Sequence, residues 1–534
     1  MTYLIAYDVG TTGVKTCLFR MDQTISLVAD AQRGYGLYVL ANGGVEQDAE
    51  EWWAAMGAAT RELFEKTPVR PREIAGISFC SQMQGLVLVD RDGSPVRRPM
   101  SYMDQRAKEE FKAGMTDGLR IAGVNARKLL RCLAVTGAVP SSVKDPVWRY
   151  KWVERNEPER FRRVYKWLDV KEYLIYRCTG TFVMTEDSAF STFLYDTRRG
   201  REGWSKPLCR MLGVHMEHLP PVVRSTDQVG GLTGTAAAAL GLPEGTPVFG
   251  GGGDASLIGI GAGCTAVGDT HIYSGTSGWV STVVERRLVD TKAMIAAILG
   301  AQQQKFNYFA ELETAGKCLE WVKDHLALDE IGIYLEKTHV AESRESVYTS
   351  LYDYLTETIR HVPPGAGGVI FTPWLHGNRC PFEDPNAAGI FFNIRLETGK
   401  TELIRAVLEG VCYHIRWMLE CQDRKIKTSN PIRFVGGGAL SDVTCQILAD
   451  MTGRTIETVP SPQNAGAVGA AAVAGVGLGI IGGLEDVRTL IPVLRSFAPN
   501  PEFRPVYNKT YLTFQQLYRS NKRNFSAMNQ PADC

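Results

Sequence analysis

Four short stretches of this chain combine side chains and spacing suited to phosphate and hydroxyl chemistry. In the middle of the sequence, Gly250-Gly-Gly-Gly253 is followed by Asp254, one carboxylate on an otherwise apolar, glycine-lined turn where a bound hydroxyl could meet a base. Near the start, Asp8-Val-Gly-Thr-Thr-Gly13 makes a small hydroxylated turn whose backbone N–H groups can face a phosphate. Lys15 adds a positive charge just beyond it, and Asp8 could hold Mg²⁺ through water. Ser274-Gly-Thr-Ser-Gly278 is a second turn of the same kind. In Gly436-Gly-Gly-Ala-Leu-Ser441, glycines leave room for an adenine or ribose against the backbone. Each stretch also has a plainer reading. Asp254 can be a helix cap, and the turns can be structural, since neither has the G-x-x-x-x-G-K-[ST] spacing of a P-loop.

The elements that would position these residues follow from periodicity and turn chemistry. Tyr3–Tyr7 and Val14–Phe19 read as the strands of a hairpin around the first turn. Thr246–Phe249 reads as a short buried strand, and Ala255–Ile260 as the start of a helix. Asp48-Ala-Glu-Glu51 has capping-box spacing and opens a helix to about Phe64, ahead of a strand at Ile74–Cys80. Then come Ser81-Gln-Met-Gln-Gly85, a hairpin turned at Asp92-Gly93, and Ser101–Arg106. Gln82, Gln84, Asp104 and Arg106 there are either ligand contacts at strand ends or ordinary loop residues. Residues 120–245 read as mainly helical and suggest no chemistry. Gly268–Tyr273 and Trp279–Val284 flank the second turn, so one fold is expected twice in the chain. A periodic helix passes through Ile404, Val407, Leu408, Val411, Ile415 and Met418. Strand Ile432–Val435 leads through the last glycine turn into a helix at about Asp442–Thr452, stopped by Gly453, and Tyr507–Tyr518 lies in a closing helix.

Composition bounds the partners. With 534 residues, 44% of them hydrophobic, the chain should form two sizeable domains plus additions. There are 59 basic against 58 acidic side chains and no long single-sign run, which disfavours a nucleic-acid or anionic-membrane footprint and favours a small ligand. The 12 cysteines are scattered singly, without C-x-x-C pairs or Cys/His clusters, which argues against zinc, iron–sulfur and a disulfide framework and for reduced thiols in the cytoplasm. The longest apolar region, 465–483, is broken by glycines, and the N-terminus runs directly into a strand, so neither a membrane span nor a signal peptide is expected.

In this order the four stretches resemble the FGGY carbohydrate kinases, and Arg405-Ala-Val-Leu-Glu-Gly410 fits that family's R-A-x-x-E-G helix. The resemblance implies an α/β fold of two actin-like, ribonuclease-H-like domains with the active site in the inter-domain cleft. The expected division is 1–258, 259–484 and a C-terminal helical tail, 485–534. The cofactors implied are ATP and Mg²⁺. Asp254 would be the catalytic base, Asp8 the magnesium residue, and Thr11, Thr12, Lys15, Gly275 and Thr276 the phosphate contacts. Gly437, Gly438, Ala439 and Ser441 would hold the nucleotide, and Gln82, Met83, Gln84 and Asp104 would join Asp254 in the sugar pocket. Within the family the pattern is nearest to xylulokinases, through Glu46-Gln-Asp48 with Trp52-Trp53, the Gln82–Gly85 loop and Pro373–Arg379. It departs from them at Gln84 (usually His), at Tyr102-Met-Asp-Gln-Arg106 (usually W-N-D-x-R) and at Ala255 (usually Asn). D-Xylulose is thus the first expectation, with another ketose, a polyol or a sugar acid as the alternative. A homodimer is a possible assembly.

Two other function classes fit parts of the sequence. An actin-like ATPase switch would use the same nucleotide turns, and sugar-dependent ADP production separates it from a kinase. A nicotinamide dehydrogenase rests on Gly261-Ala-Gly-Cys-Thr-Ala266, a loose G-x-G-x-x-A that follows a helix-like segment instead of the first strand of a βαβ unit.

Overall fold

The computed structural model describes residues 2–121, 123–326 and 355–529. Two mixed sheets organise them. The first is built from β1 (Thr2–Val9), β2 (Gly13–Met21), β3 (Ile25–Gly34), β4 (Ile74–Ser81), β5 (Gln228–Gly231) and β6 (Pro247–Phe249), in the order β5-β6-β4-β1-β2-β3; β7 (Gly252–Gly253) also pairs with β4. The second contains β8 (Thr270–Ser274), β9 (Gly278–Val284), β10 (Val289–Asp290), β11 (Ile295–Leu299), β12 (Phe306–Leu312), β13 (Ile432–Val435), β14 (Ile456–Thr458) and β15 (Arg495–Phe497), in the order β10-β11-β12-β9-β8-β13-β14-β15.

The pairing is the same in both halves. β1 pairs antiparallel with β2 and parallel with β4; β8 pairs antiparallel with β9 and parallel with β13. The outer neighbours match too: β2–β3 and β9–β12 are antiparallel, β4–β6 and β13–β14 parallel, β6–β5 and β14–β15 antiparallel. The repeat expected from two similar turns is thus present in topology. Beyond the expected closing helix, residues 495–497 add β15 to the second sheet, so the stretch after 484 is more than a helical tail.

Helices used below are α1 (Ala49–Glu65), α2 (Ala126–Val135), α3 (Pro146–Asn156), α4 (Val170–Thr179), α5 (Lys206–Leu212), α6 (Asp254–Gly261), α7 (Lys400–Asp423), α8 (Asp442–Thr452), α9 (Ala465–Gly477) and α10 (Arg504–Asn529). Side-chain alternation along β1 divides it between two cores. Ile5, Tyr7 and Val9 pack with α1 and α4, whereas Leu4 and Ala6 pack with α6, α9 and Val435 of the second sheet. Thus α6 and α9 lie between the halves. The expected boundary at 258/259 falls inside α6, and α9, from far along the chain, packs on the first sheet.

Some local expectations are met differently. Asp48 does cap α1 by accepting from Glu50 N, but Glu51 accepts from Gly36 N and Tyr38 Oη instead of closing a capping box. The Asp92-Gly93 turn closes on one isolated bridge, Val89–Pro95, while Val87–Val89 pairs with Lys166–Leu168. Residues 120–245 mix helices with strands of two to four residues, apart from Ala122, which lies outside the described residues. Helix α7 is buried on all sides over Ile404–Leu419, where Arg405 Nε donates to Glu409 Oε1 at 2.7 Å. Cys534 lies outside the described residues; the described cysteines are buried free thiols.

Glycine sets the α6–α9 contact. A Cβ added at Gly261 would lie 1.8 Å from the carbonyl oxygen of Ala465, and one at Gly469 would lie 2.2 Å from that of Leu257. This contact, with Gly261 inside a helix, also removes the dinucleotide-turn reading of Gly261–Ala266. Gly261→Val should force the two helices apart and cost about 3 kcal/mol or more, the upper range for overpacking. Denaturant unfolding is the measurement; a midpoint equal to the parent's would mean that the helices are not in contact.

Candidate active site

Strand register brings two acids of the first half together. Asp8 on β1 is abreast of Cys80 on β4, and Cys80 is abreast of Gly252 on β7. Two strand spacings, about 10 Å, therefore separate the ladder position of Asp8 from the turn that delivers Asp254. Gly251 is in the left-handed region at φ +65°, and a Cβ there would lie 2.1 Å from Phe79 O, so the turn presses on β4 in a way only glycine allows. Gly253, not Asp254, is the cap residue of α6; Asp254 holds the first helical position, and its Oδ1 accepts from Ala255 N at 2.7 Å.

Below this turn is a buried polar network. Asp187 Oδ2 accepts from Gly253 N at 2.7 Å, and its Oδ1 accepts from Thr185 Oγ1 at 2.5 Å and Ser188 N at 2.9 Å. Lys171 Nζ donates to Glu172 Oε1 at 2.5 Å, to Thr185 Oγ1 at 2.7 Å and to Ser188 Oγ. The backbone immediately before Asp254 is therefore tied to fully buried side chains, as preorganisation of a reactive group requires. Burial pushes the Asp254 carboxyl up to about 7, opposed by the Ala255 N–H and reinforced by Asp8, Glu311 and Asp169. Asp8 is also raised, by burial first, against the pull of Lys15 and a bond from Cys80.

The two phosphate-sized turns are hairpin ends. At the first, Gly10 N donates to Gly13 O at 2.9 Å, Gln47 Nε2 to Thr11 O at 2.7 Å, and Thr12 is exposed at the tip. Lys15, the ladder partner of Asp8, reaches across to Gln463 O at 3.1 Å, just ahead of α9. At the second, Gly275 N donates to Ser277 O at 2.9 Å, Gly316 N to Gly275 O at 2.7 Å, and Thr276 is the exposed tip. Gly436, at φ +92°, brings the third turn against Ser274, joining it to the second. Gly437 is exposed, and a Cβ there would meet nothing within 4 Å, so its backbone faces open space wide enough for a flat ring. Gly438 lies against Ser274. Ser441 caps α8 through Thr444 N at 3.2 Å. Ala439 is placed differently from expectation: it is fully buried, its N–H bonded to Gly436 O and its carbonyl to Arg495, because it closes the turn from beneath.

The Gln82–Gly85 loop lies beside Asp254. Met83 packs over Gly253, with its Sδ 2.2 Å from where a Cβ would sit. Gln82 donates to Gln47 Oε1 at 3.0 Å, leaving its own Oε1 buried without a described partner. Gln84 is in the left-handed region at φ 62°, held by Asp169, which accepts from Gln84 N at 2.8 Å and Gly85 N at 2.7 Å, and by Arg149, which donates to Gln84 O. Arg149 is 0% exposed and also donates to Met100 O at 2.9 Å and Ser101 O at 2.8 Å, tying both loops to α3. Asp104 departs from its expected place in the pocket. It is 0% exposed and engaged by Val45 N at 2.8 Å and Arg106 Nη2 at 2.7 Å, so it supports the loop from behind.

The structure adds contacts that the sequence reading did not give. Tyr102 Oη lies 3.3 Å from Thr11 Oγ1, linking the Ser101–Arg106 loop to the first phosphate turn. Glu311, at the end of β12, accepts from Arg379 Nη1 at 2.9 Å; burial raises its carboxyl, opposed by Arg379. Motif spacing gives no sign of Glu311, Arg149, Asp169 or Asp187, because each acts through a contact distant in sequence.

Hard oxygen donors suit magnesium, and Asp8 offers a carboxylate with little charge compensation beyond Lys15. A Cβ at Gly466 would lie 3.2 Å from Asp8 Oδ2, so the start of α9 leaves space next to that carboxylate only because glycine is there. The residues present therefore fit a divalent cation at Asp8.

Known proteins resemble this chain over nearly its full length. The model of the FGGY family of carbohydrate kinases, N-terminal domain, matches residues 3–261, and that of the C-terminal domain matches 271–478. The xylulose kinase of Bacillus subtilis is 28% identical over 527 residues, covering 98% of each chain. A ligand-bound xylulose kinase from Lactobacillus acidophilus superimposes with TM-score 0.83 at 23% identity, over 99% of this chain and 100% of that one. A gluconate kinase from the same organism gives TM-score 0.82 at 23% identity, over 98% and 99%. No helix among the described residues is long and apolar enough to cross a membrane.

The raised Asp254 carboxyl has a signed consequence for stability. It ionises near 7 in the fold and near 3.9 in the unfolded chain, so the folded state binds more protons between those values and stability falls as pH rises from about 4 to about 7. Asp254→Asn cannot ionise. Without ligands, its melting temperature should gain on the parent's across that window and keep a constant lead above it. A pH-independent difference between the two would show that Asp254 has an ordinary carboxyl.

Proposed function

Because this chain belongs to the FGGY family of carbohydrate kinases, we propose that it transfers the γ-phosphoryl group of ATP to a hydroxyl of a small sugar, with D-xylulose as the substrate. The observation that carries this reading is the Asp254 carboxylate. It is rigidly mounted and pushed up to about 7, and one of its oxygens is bonded to Ala255 while the other has no described donor. It stands beside a loop with an unpaired acceptor, Gln82 Oε1.

In this mechanism the sugar lies between the Gln82–Gly85 loop and Asp254. Gln82 Oε1 accepts from one sugar hydroxyl, and Met83 covers the apolar edge of the ring or chain. Asp254 takes the proton of the attacking hydroxyl as its oxygen bonds to the γ-phosphorus and the bond to the ADP oxygen breaks. Lys15, Thr11, Thr12, Gly275 and Thr276 hold the phosphates, and Gly437, Gly438 and the backbone of the Gly436–Ser441 turn hold the nucleoside. Magnesium at Asp8 would offset the phosphate charge. Asp254 and the raised Glu311 make the sugar side acidic, and Arg379 is already paired with Glu311. That balance favours an uncharged ketose over a sugar acid such as gluconate, which is the second reading suggested by the gluconate kinase neighbour.

Two measurements test the proposal. A coupled ADP-release assay across pentuloses, hexuloses, polyols and aldonic acids should give its highest kcat/KM with D-xylulose; a clear preference for gluconate would replace xylulose, and ATP hydrolysis indifferent to every sugar would sink the kinase reading. Asp254→Asn should lower kcat by about 10² to 10⁴ while ATP affinity by calorimetry stays unchanged. Near-normal kcat in that variant would end the assignment of Asp254 as base.

A further inference from the structure

The helical part of the first half has an open surface depression of about 410 Å³ whose lining includes Asp117, Arg127, Lys128 and Arg131 from the α2 region and Arg210 and Met211 from α5. None of the phosphate turns or sugar-loop residues lines it. The volume is within the range of small-ligand sites. Its charge is not balanced. Lys128 Nζ donates to Asp117 Oδ1 at 2.8 Å and Gly114 O at 2.7 Å, so the acid present is already used. Arg127, Arg131 and Arg210 are exposed at the surface and have no carboxylate or carbonyl partner among the described residues. Arg127 and Arg131 are also one helical turn apart on α2, a like-charge spacing that disfavours the helix unless an anion lies between them.

We propose that this depression binds a small phosphate-bearing anion. Guanidinium groups present paired N–H donors that match phosphate oxygens, and a tetrahedral phosphate can accept from several forks at once, whereas a planar carboxylate is suited to one. Met211 and the arginine stems supply an apolar side for an organic remainder. The site is joined to the other half of the molecule. Ala134 O and Val135 O, at the far end of α2, accept from Arg287 Nη1 at 3.0 and 3.1 Å, and Arg287 follows β9 of the second sheet. A ligand that fixes α2 therefore acts on a helix already bonded across the two halves. The proposal does not depend on which sugar, or whether any sugar, is phosphorylated in the cleft.

The test is calorimetric titration of the full chain with inorganic pyrophosphate in metal-free buffer, with the nucleotide cleft first saturated with ADP. The parent should bind at one site. Arg131→Gln with Arg210→Gln should weaken binding at least tenfold, while the melting temperature and, without pyrophosphate, the kinase kcat stay near the parent's values. Arg127→Gln alone, the mildest change, should weaken it by a smaller factor and serves if the double variant is poorly folded. No binding by the parent at millimolar pyrophosphate, or equal binding by parent and variants, would overturn the assignment.

Discussion

The structure depends on how closely α6 and α9 can approach. The two helices meet backbone to backbone at Gly261 and Gly469, with no side chain between them, and they lie between the two sheets. The N-terminal end of α6 carries Asp254; the N-terminal end of α9, at Gly466, lies over Asp8 and Cys80. One contact therefore sets the spacing between the Asp254 and Asp8 carboxylates. A larger residue at either glycine would move one of these two acids as well as open the core.

Around that contact the cleft holds acids in an environment that resists their charge. Asp8, Asp254 and Glu311 are all raised, in each case chiefly by burial. Lys15 and Arg379 offset part of this, one from the neighbouring strand and one from the loop after β12's half of the sheet. Such a cleft favours ligands that bring positive charge or give up a proton. The buried Lys171, Glu172 and Asp187 group does different work: it is internally paired and holds Gly253 in place.

Much of the site is legible in the sequence because it depends on local chemistry. The Asp8–Gly13 and Ser274–Gly278 turns, the strand before Gly436 and the stop of α8 at Gly453 are set by glycines, hydroxyls and alternation over a few residues. What is hidden depends on partners far away in the chain. Asp48 is visible as a cap, but Glu51 turns aside to Gly36 and Tyr38, which local spacing does not reveal. Asp104 sits in a motif that suggests ligand contact, yet Val45 and Arg106 satisfy it internally. The near-continuous burial of α7 escapes a reading based on one apolar stripe, because Arg405 and Glu409 neutralise each other inside.

The position of α9 has a consequence for how the chain is made. The core face of the first sheet formed by Leu4, Ala6, Cys17 and Phe19 is covered by α6 and by residues 465–474. During synthesis the earlier strands leave the ribosome well before α9, and domains assemble from the N-terminus onward at the pace of translation. The first sheet must therefore wait, with one apolar face incompletely covered, until most of the second half has emerged. In a growing chain that face is the surface a chaperone would need to shield, and release of the finished protein is tied to the arrival of α9.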